Sequence, residues 1–373
     1  MKTIGVDCFG LTRPLYTGKE VYIHGIIGSL LEQNDNFLFT TFYPQNTLRK
    51  PEWGTHSVTL WPTIALTSYT AWSQCILPFA VKKAHPDVMI FTESMLPLVP
   101  LLPSTRKIVV VYDVMYLHVP GEFEPKTRRI LHYLMPHTLN KADIIVTISK
   151  ASKNDLVRFY GADPAKIHVV YPCVSGFELS TNSAKEEIRK AFSIQGKMVT
   201  YAGNHLAYKN IENLLTAFKR LFDIHGIEDA TLVLVGKKEK RTRIIEERIE
   251  ALGLKEHVKI TGYADREQYE RLMTASDVFI LPSLYEGFGI PLIEAMASGV
   301  PVVTSNIGAM AEVVGNAGKL FNPRDPEDIA LCLASVLLDR GVSATMITKG
   351  FDRVKEFQWS RSARVMADIL NSV

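Results

Sequence analysis

Short runs of β-branched and aliphatic residues recur along the whole chain, and most are uninterrupted rather than alternating. They fall at 3–6, 37–42, 58–60, 88–91, 108–111, 144–148 and 168–171, then at 198–202, 231–235, 258–261, 278–281 and 302–304. An unbroken apolar run of that length predicts a strand covered on both faces. Stretches with helical apolar spacing separate the runs, for example at 210–224, 241–252, 267–274 and 292–297. Strand and helix in alternation predict parallel sheets with helices on both faces. About twelve strands exceed one comfortable sheet, so the pattern predicts two doubly wound α/β domains. Ser and Asn cluster at 175–185 (SGFELSTNSAK), between a strand (IHVVYP) and a helix (EEIRKAF). The domains are therefore expected at 1–178 and 179–355, with 356–373 as a Trp corner and a closing amphipathic helix. Two such domains imply a cleft, and ligands of parallel sheets bind beyond the carboxyl ends of the strands.

The length of 373 residues agrees with two domains. Hydrophobic residues at 47% and charged residues at 22% exclude a disordered chain. Lys and Arg number 42 against 39 Asp and Glu, without a basic tract, which argues against a nucleic-acid binder. Residues 1–180 hold 17 basic and 14 acidic residues and seven of the ten histidines. That excess is either composition noise or a first half facing an anionic surface or substrate. The four cysteines are far apart and form no C-x-x-C, so neither a disulfide framework nor a zinc knuckle is expected, and a reducing, cytoplasmic location fits. The N-terminus, MKTIGVDCFG, reads as a strand rather than a signal peptide. No stretch of about 20 residues is free of both charge and proline, so no membrane span is expected.

The most informative stretch is 283–305, SLYEGFGIPLIEAMASGVPVVTS, which follows the apolar strand VFILP. Gly287 and Gly289 flank Phe288, and Pro291 sits where a helix begins. Such a loop lets the backbone approach a ligand, with helix N–H groups aimed at it. Glu286 and Glu294 straddle the loop, and paired carboxylates suit the hydroxyls of a sugar and a ribose. A lone glutamate there would read as a cap or a solvated helix face.

This segment resembles the E-x7-E signature of retaining glycosyltransferases of family 4, which have the two-domain GT-B fold. Other landmarks are similar: YAGNHLAYKNIENLLTAF at 201–218, LVLVG at 232–236, ITGYADREQYERLMTASDVFILPS at 260–283, AEVVGNAGKLFNPRDPEDIA at 311–330 and EFQW at 356–359. In the first half, TGKEVY at 17–22 and YDVMYLHVPGEF at 112–123 resemble the family's glycine loop and H-D-L segment more loosely. The resemblance implies two Rossmann-like domains facing across a cleft, with the last helix crossing back onto the first. It implies a donor site of Gly18, Gly203, Asn204, Lys209, Gly236, Tyr263, Glu286, Gly287, Phe288, Gly289, Ile290 and Glu294. In it Glu294 would bind the donor ribose, Glu286 the sugar hydroxyls and Lys209 the diphosphate. The backbone of 288–290 would cradle the diphosphate and sugar, and Tyr263 would lie by the base. Catalysis would involve Glu286, Lys209, Asp113 and His118. The implied partners are a nucleotide sugar, GDP- or UDP-linked, and a glycan or polyprenyl-linked oligosaccharide, with a lean to mannose from GDP-mannose in polysaccharide biosynthesis. No D-x-D triplet occurs, so neither a metal nor a further cofactor is expected.

Departures from the family pattern carry information. Asn204 and Tyr208 stand where an Arg is frequent, so Lys209 carries more of the diphosphate charge unless His205 contributes. Glu20 replaces the second loop glycine, and its carboxylate would repel a diphosphate unless it points away. Tyr112 replaces the H-D-L histidine, leaving His118 as either a donor contact or a plain loop residue. On the acceptor side, 60–83 carries Trp61, Tyr69, Trp72 and Phe79 before Lys82 and Lys83. It reads as a core helix or as a peripheral contact with the inner face of the cell membrane. Basic pairs at 106–107 and within 126–129 would meet lipid phosphates or water. A nucleotide-sugar epimerase of the same fold and a non-catalytic partner subunit are the competing readings.

Overall fold

The computed structural model describes residues 1–12, 18–33, 36–44, 56–60, 69–174 and 181–373. The start of the glycine loop, Trp61 and most of the expected domain boundary lie outside the described residues. The chain divides into two compact units: Met1–Val114, Phe123–Cys173 and Gln358–Val373 form the first, and Met115–Glu122 with Val174–Phe357 the second. Both are doubly wound parallel sheets covered by helices.

The first unit holds β1 (Lys2–Asp7), β2 (Phe37–Pro44), β3 (His56–Leu60), β4 (Val88–Phe91), β5 (Arg106–Val110), β6 (Ile144–Thr147) and β7 (Ile167–Val169). Their order is β3-β2-β1-β4-β5-β6-β7. β4 to β6 bury residues on both faces, which is why their sequences read as unbroken apolar runs. Residues 69–84 are helical, with a π-turn at Trp72–Ile76. Trp72 is fully buried and donates its Nε1–H to Asp7 Oδ1 at 2.9 Å, so this aromatic belongs to the core. Phe79, on the same helical stretch, stays exposed.

The second unit holds β8 (Lys197–Ala202), β9 (Ala230–Val235), β10 (Val258–Gly262), β11 (Val278–Leu281), β12 (Val302–Ser305) and β13 (Lys319–Phe321). Their order is β10-β9-β8-β11-β12-β13, all parallel. β13 has no counterpart in the apolar pattern, because Lys319–Phe321 offers only two consecutive apolar residues before Asn322, whereas the equally short edge strand β7 runs on into Val170 and Tyr171. In each sheet the strand order reverses once, at β1/β4 and at β8/β11. Parallel sheets open a crevice for ligands at such a reversal.

The helix Trp359–Ser372 packs against Gly18–Gln33 within the first unit. Trp359 lies over Gly25, where any Cβ would overlap its ring. No single helix among the described residues is long and apolar enough to cross a membrane.

Candidate active site

The reversal at β8/β11 brings two loops together. The loop after β8 runs into a short 3-10 turn, Ala207–Lys209, and the loop after β11 leads to the helix Ile290–Ala297. Leu284 N–H donates to Tyr208 O at 2.7 Å, and the Asn210 amide donates to Pro282 O at 3.0 Å and to Pro323 O at 2.7 Å. Asn210 adopts φ 62°, a left-handed conformation that Asn tolerates better than most residues. These bonds fix Lys209 against the second loop. Its ammonium donates to Glu286 Oε1 at 2.6 Å, and the Ser283 hydroxyl donates to the same oxygen at 2.6 Å. Burial alone would depress the Lys209 ammonium, but Glu286 overrides it and holds the pKa above the ordinary lysine value. Lys209 is therefore a fixed, charged cation.

Gly289, at φ 92°, precedes the helix Ile290–Ala297, and Pro291 occupies its first turn. A non-glycine residue at that φ would be strained. Phe288 is buried edge-to-face on Phe357, with ring centroids 5.5 Å apart, and anchors the loop. Along the same edge, Gly203 N–H donates to Val235 O at 2.9 Å and Gly236 N–H to Gly262 O at 3.0 Å. A Cβ on Gly236 would strike Gly203 O, so the two strand ends approach backbone to backbone there. Tyr263 follows with its ring exposed.

Glu294 sits within the helix, with its side chain 10% exposed. Arg266 donates to its Oε1 at 3.0 Å and the Tyr269 hydroxyl to its Oε2 at 2.6 Å. Burial pushes the Glu294 carboxyl above the ordinary range, against the pull of Tyr269 and Arg266. His118, on Met115–His118, stacks on Tyr285, the residue before Glu286, with ring centroids 4.2 Å apart. Asp113 and Gly18 belong to the first unit, and Glu20 is buried there. His205 is also buried, with Nδ1 bonded to Thr242 Oγ1 at 2.9 Å. Burial and Lys238 lower its pKa, which favours the neutral ring. Sequence reasoning missed Arg266, Tyr269 and Ser283. Arg266 and Tyr269 are three apart on one helix face, a spacing that signals a shared partner without naming it.

Residues 184–353 match the family model of glycosyl transferases group 1, and residues 16–175 match that of Glycosyltransferase Family 4. The chain thus carries a glycosyl transferases group 1 domain in its second half and a Glycosyltransferase Family 4 domain in its first. It is 28% identical to the O-antigen chain mannosyltransferase B of Escherichia coli over 258 residues, 68% of this chain and 67% of that one. The chain spans about three-fifths of the length of the curated relatives it matches. Among solved structures, sucrose-phosphate synthase from Thermosynechococcus elongatus superposes with a TM-score of 0.78 at 19% identity, covering 100% of this chain and 99% of that chain. HepE of Anabaena, in complex with UDP-glucose, gives 0.76 at 17% identity and full coverage of both. At these identities the likeness is one of fold, and the fold is GT-B.

Proposed function

We propose that the protein transfers a hexosyl group from a nucleotide sugar, with retention at the anomeric carbon, to a glycan or polyprenyl-linked oligosaccharide. The observation that carries this reading is the Lys209–Glu286 pair at the strand-order reversal, one turn from the N-terminus of Ile290–Ala297. A departing diphosphate needs fixed positive charge, and a buried ammonium beside helix-terminal N–H groups supplies it without reorganisation. Glu286 accepts from Lys209 and Ser283 on one oxygen, and its other oxygen suits a donor-sugar hydroxyl. Glu294 suits the ribose. His118, Asp113 and Gly18 remain proposed contributors, as do Gly203, Asn204, Gly236, Tyr263 and the backbone of 287–290. HepE holding UDP-glucose supports a nucleotide-sugar donor, and the O-antigen mannosyltransferase supports a lean to GDP-mannose and polysaccharide biosynthesis.

In this reading Lys209 and the helix-terminal N–H groups together stabilise the leaving diphosphate, so the chemistry places no demand on a metal. Activity should survive a chelator, and loss that magnesium restores would assign the charge elsewhere. A lipid-linked acceptor would meet a protein on the cytoplasmic membrane face. Exposed Phe79 and Lys83, half-buried Lys82, and the helix Pro125–Lys141 with Lys126, Arg128 and Arg129 exposed and no carboxylate, support that location. The decisive experiment is a screen of UDP- and GDP-sugars, read by released nucleotide and by the anomeric configuration of the product. Slow donor hydrolysis with a single nucleotide supports transfer. Interconversion of donor sugars without nucleotide release would make the protein an epimerase, and binding without turnover a partner subunit.

A further inference from the structure

Both carboxylate oxygens of Glu294 are held by side chains from one neighbouring helix, Arg266–Thr274. Tyr269 is half-buried, and burial and the Glu294 charge raise the pKa of its phenol, so it stays protonated and donates. Arg266 is half exposed and divides its guanidinium between Glu294 and Glu270. The charged and titratable groups acting on Glu294 are therefore Arg266, Tyr269 and Glu270. Each carboxylate oxygen has two acceptor directions, and each gives up one to these donors. The two that remain point from a carboxylate whose rotation is stopped at both ends.

We propose that Tyr269 and Arg266 are positioning residues which set Glu294 as a rigid pair of acceptors for a vicinal diol, making the site selective for ribonucleotide over 2′-deoxyribonucleotide donors. This rests on the reading of Glu294 as the ribose group. A vicinal diol needs two acceptors at fixed separation, and a freely rotating carboxylate would bind one hydroxyl nearly as well as two. The donors also oppose the upward push of burial on the Glu294 carboxyl, because each favours the charged form. A mere structural tie between the two helices would contribute stability and leave nucleotide choice untouched.

The test is calorimetric binding of UDP, GDP and their 2′-deoxy forms to the full chain, from about pH 5 to about pH 8. Wild type, Tyr269→Phe, Arg266→Gln and Glu294→Gln are compared. Wild type should prefer the ribonucleotides by about tenfold or more, the worth of one hydrogen bond to a charged group. Tyr269→Phe and Arg266→Gln should each weaken ribonucleotide binding, leave 2′-deoxy binding nearly unchanged, and so narrow the preference. Both should lose affinity at a higher pH on acidification, since Glu294 then protonates sooner. Arg266, half exposed, keeps the test open should Tyr269→Phe fold poorly. If both variants keep the wild-type preference and acid limb while only their melting temperatures fall, the proposal is overturned and the contacts are a structural tie. If Glu294→Gln binds every nucleotide as wild type does, the ribose reading itself fails and takes the proposal with it.

Discussion

Folding and the proposed chemistry both draw on one pair of side chains, Lys209 and Glu286. Their side chains are 12% and 11% exposed, so each is the other's main compensation for leaving water. Removing one member of such a pair strands a buried charge, which costs about 3 kcal/mol or more, whereas removing both costs far less. Lys209→Met and Glu286→Gln should therefore each lower unfolding free energy by about that amount, and the double variant should recover much of it. Turnover should not recover, since the cation that meets the diphosphate is gone in the double variant as well. Denaturant unfolding and nucleotide release, measured on the same four proteins, separate the two roles. A double variant that regains activity would move the diphosphate cation elsewhere. The positions of Glu286, Glu294 and Lys209 were legible because their spacing within glycine-rich segments is local. Arg266 and Tyr269 were not, because their meaning depends on a helix that reaches Glu294 from 25 to 28 residues earlier in the chain.

At the scale of elements, each sheet gathers polar groups at its strand-order reversal. In the first unit Asp7 ends β1 beside β4, where Thr92 Oγ1 donates to Asp7 O at 2.8 Å. The Asp7 carboxylate accepts from Trp72 Nε1, from the Tyr69 hydroxyl at 2.9 Å and from Phe9 N at 3.2 Å. It thus pins the start of the 69–84 helical stretch to the sheet. Burial outweighs these donors and lifts the Asp7 pKa to about 6. A raised carboxyl pKa means that the folded state holds a proton which the unfolded chain releases near its ordinary value of 3.8. The stability due to that proton is present at low pH and is lost as pH rises from about 4 through about 6, by on the order of 3 kcal/mol. Asp7→Asn cannot titrate. The unfolding free energy of wild type minus that of Asp7→Asn should decline across this window and then level, and parallel curves would refute it. The strands of both units were legible from their apolar runs. The π-turn at Trp72 and the edge strand β13 were not, because Trp72 bonds a buried carboxylate 65 residues away in sequence and β13 holds only two consecutive apolar residues.

For the whole molecule, the chain builds most of the first unit, then the second, and returns at Gln358 to complete the first. The returning helix buries Ala363, Met366, Ile369 and Leu370. Lys2 Nζ donates to Leu370 O at 2.8 Å and Val373 O at 2.6 Å, and Ser362 Oγ donates to Tyr171 O at 2.9 Å. The first strand and the last helix therefore close one core, although they lie at opposite ends of the sequence. Burying three large apolar side chains contributes on the order of 5 kcal/mol. Deleting residues 359–373 should lower the thermal stability of the first unit by a correspondingly large step. Gly25→Ala should act in the same direction by about 1–3 kcal/mol, because the added methyl overlaps the Trp359 ring. Nucleotide affinity should stay within about twofold of wild type in both, since the residues proposed to hold the nucleotide lie almost wholly in the second unit and distant sites add independently. Calorimetric melting with and without UDP or GDP reads both quantities. A truncated chain that keeps its full melting profile would show that the first core is complete without its last helix. One that loses nucleotide affinity would show that the donor site draws on the first unit.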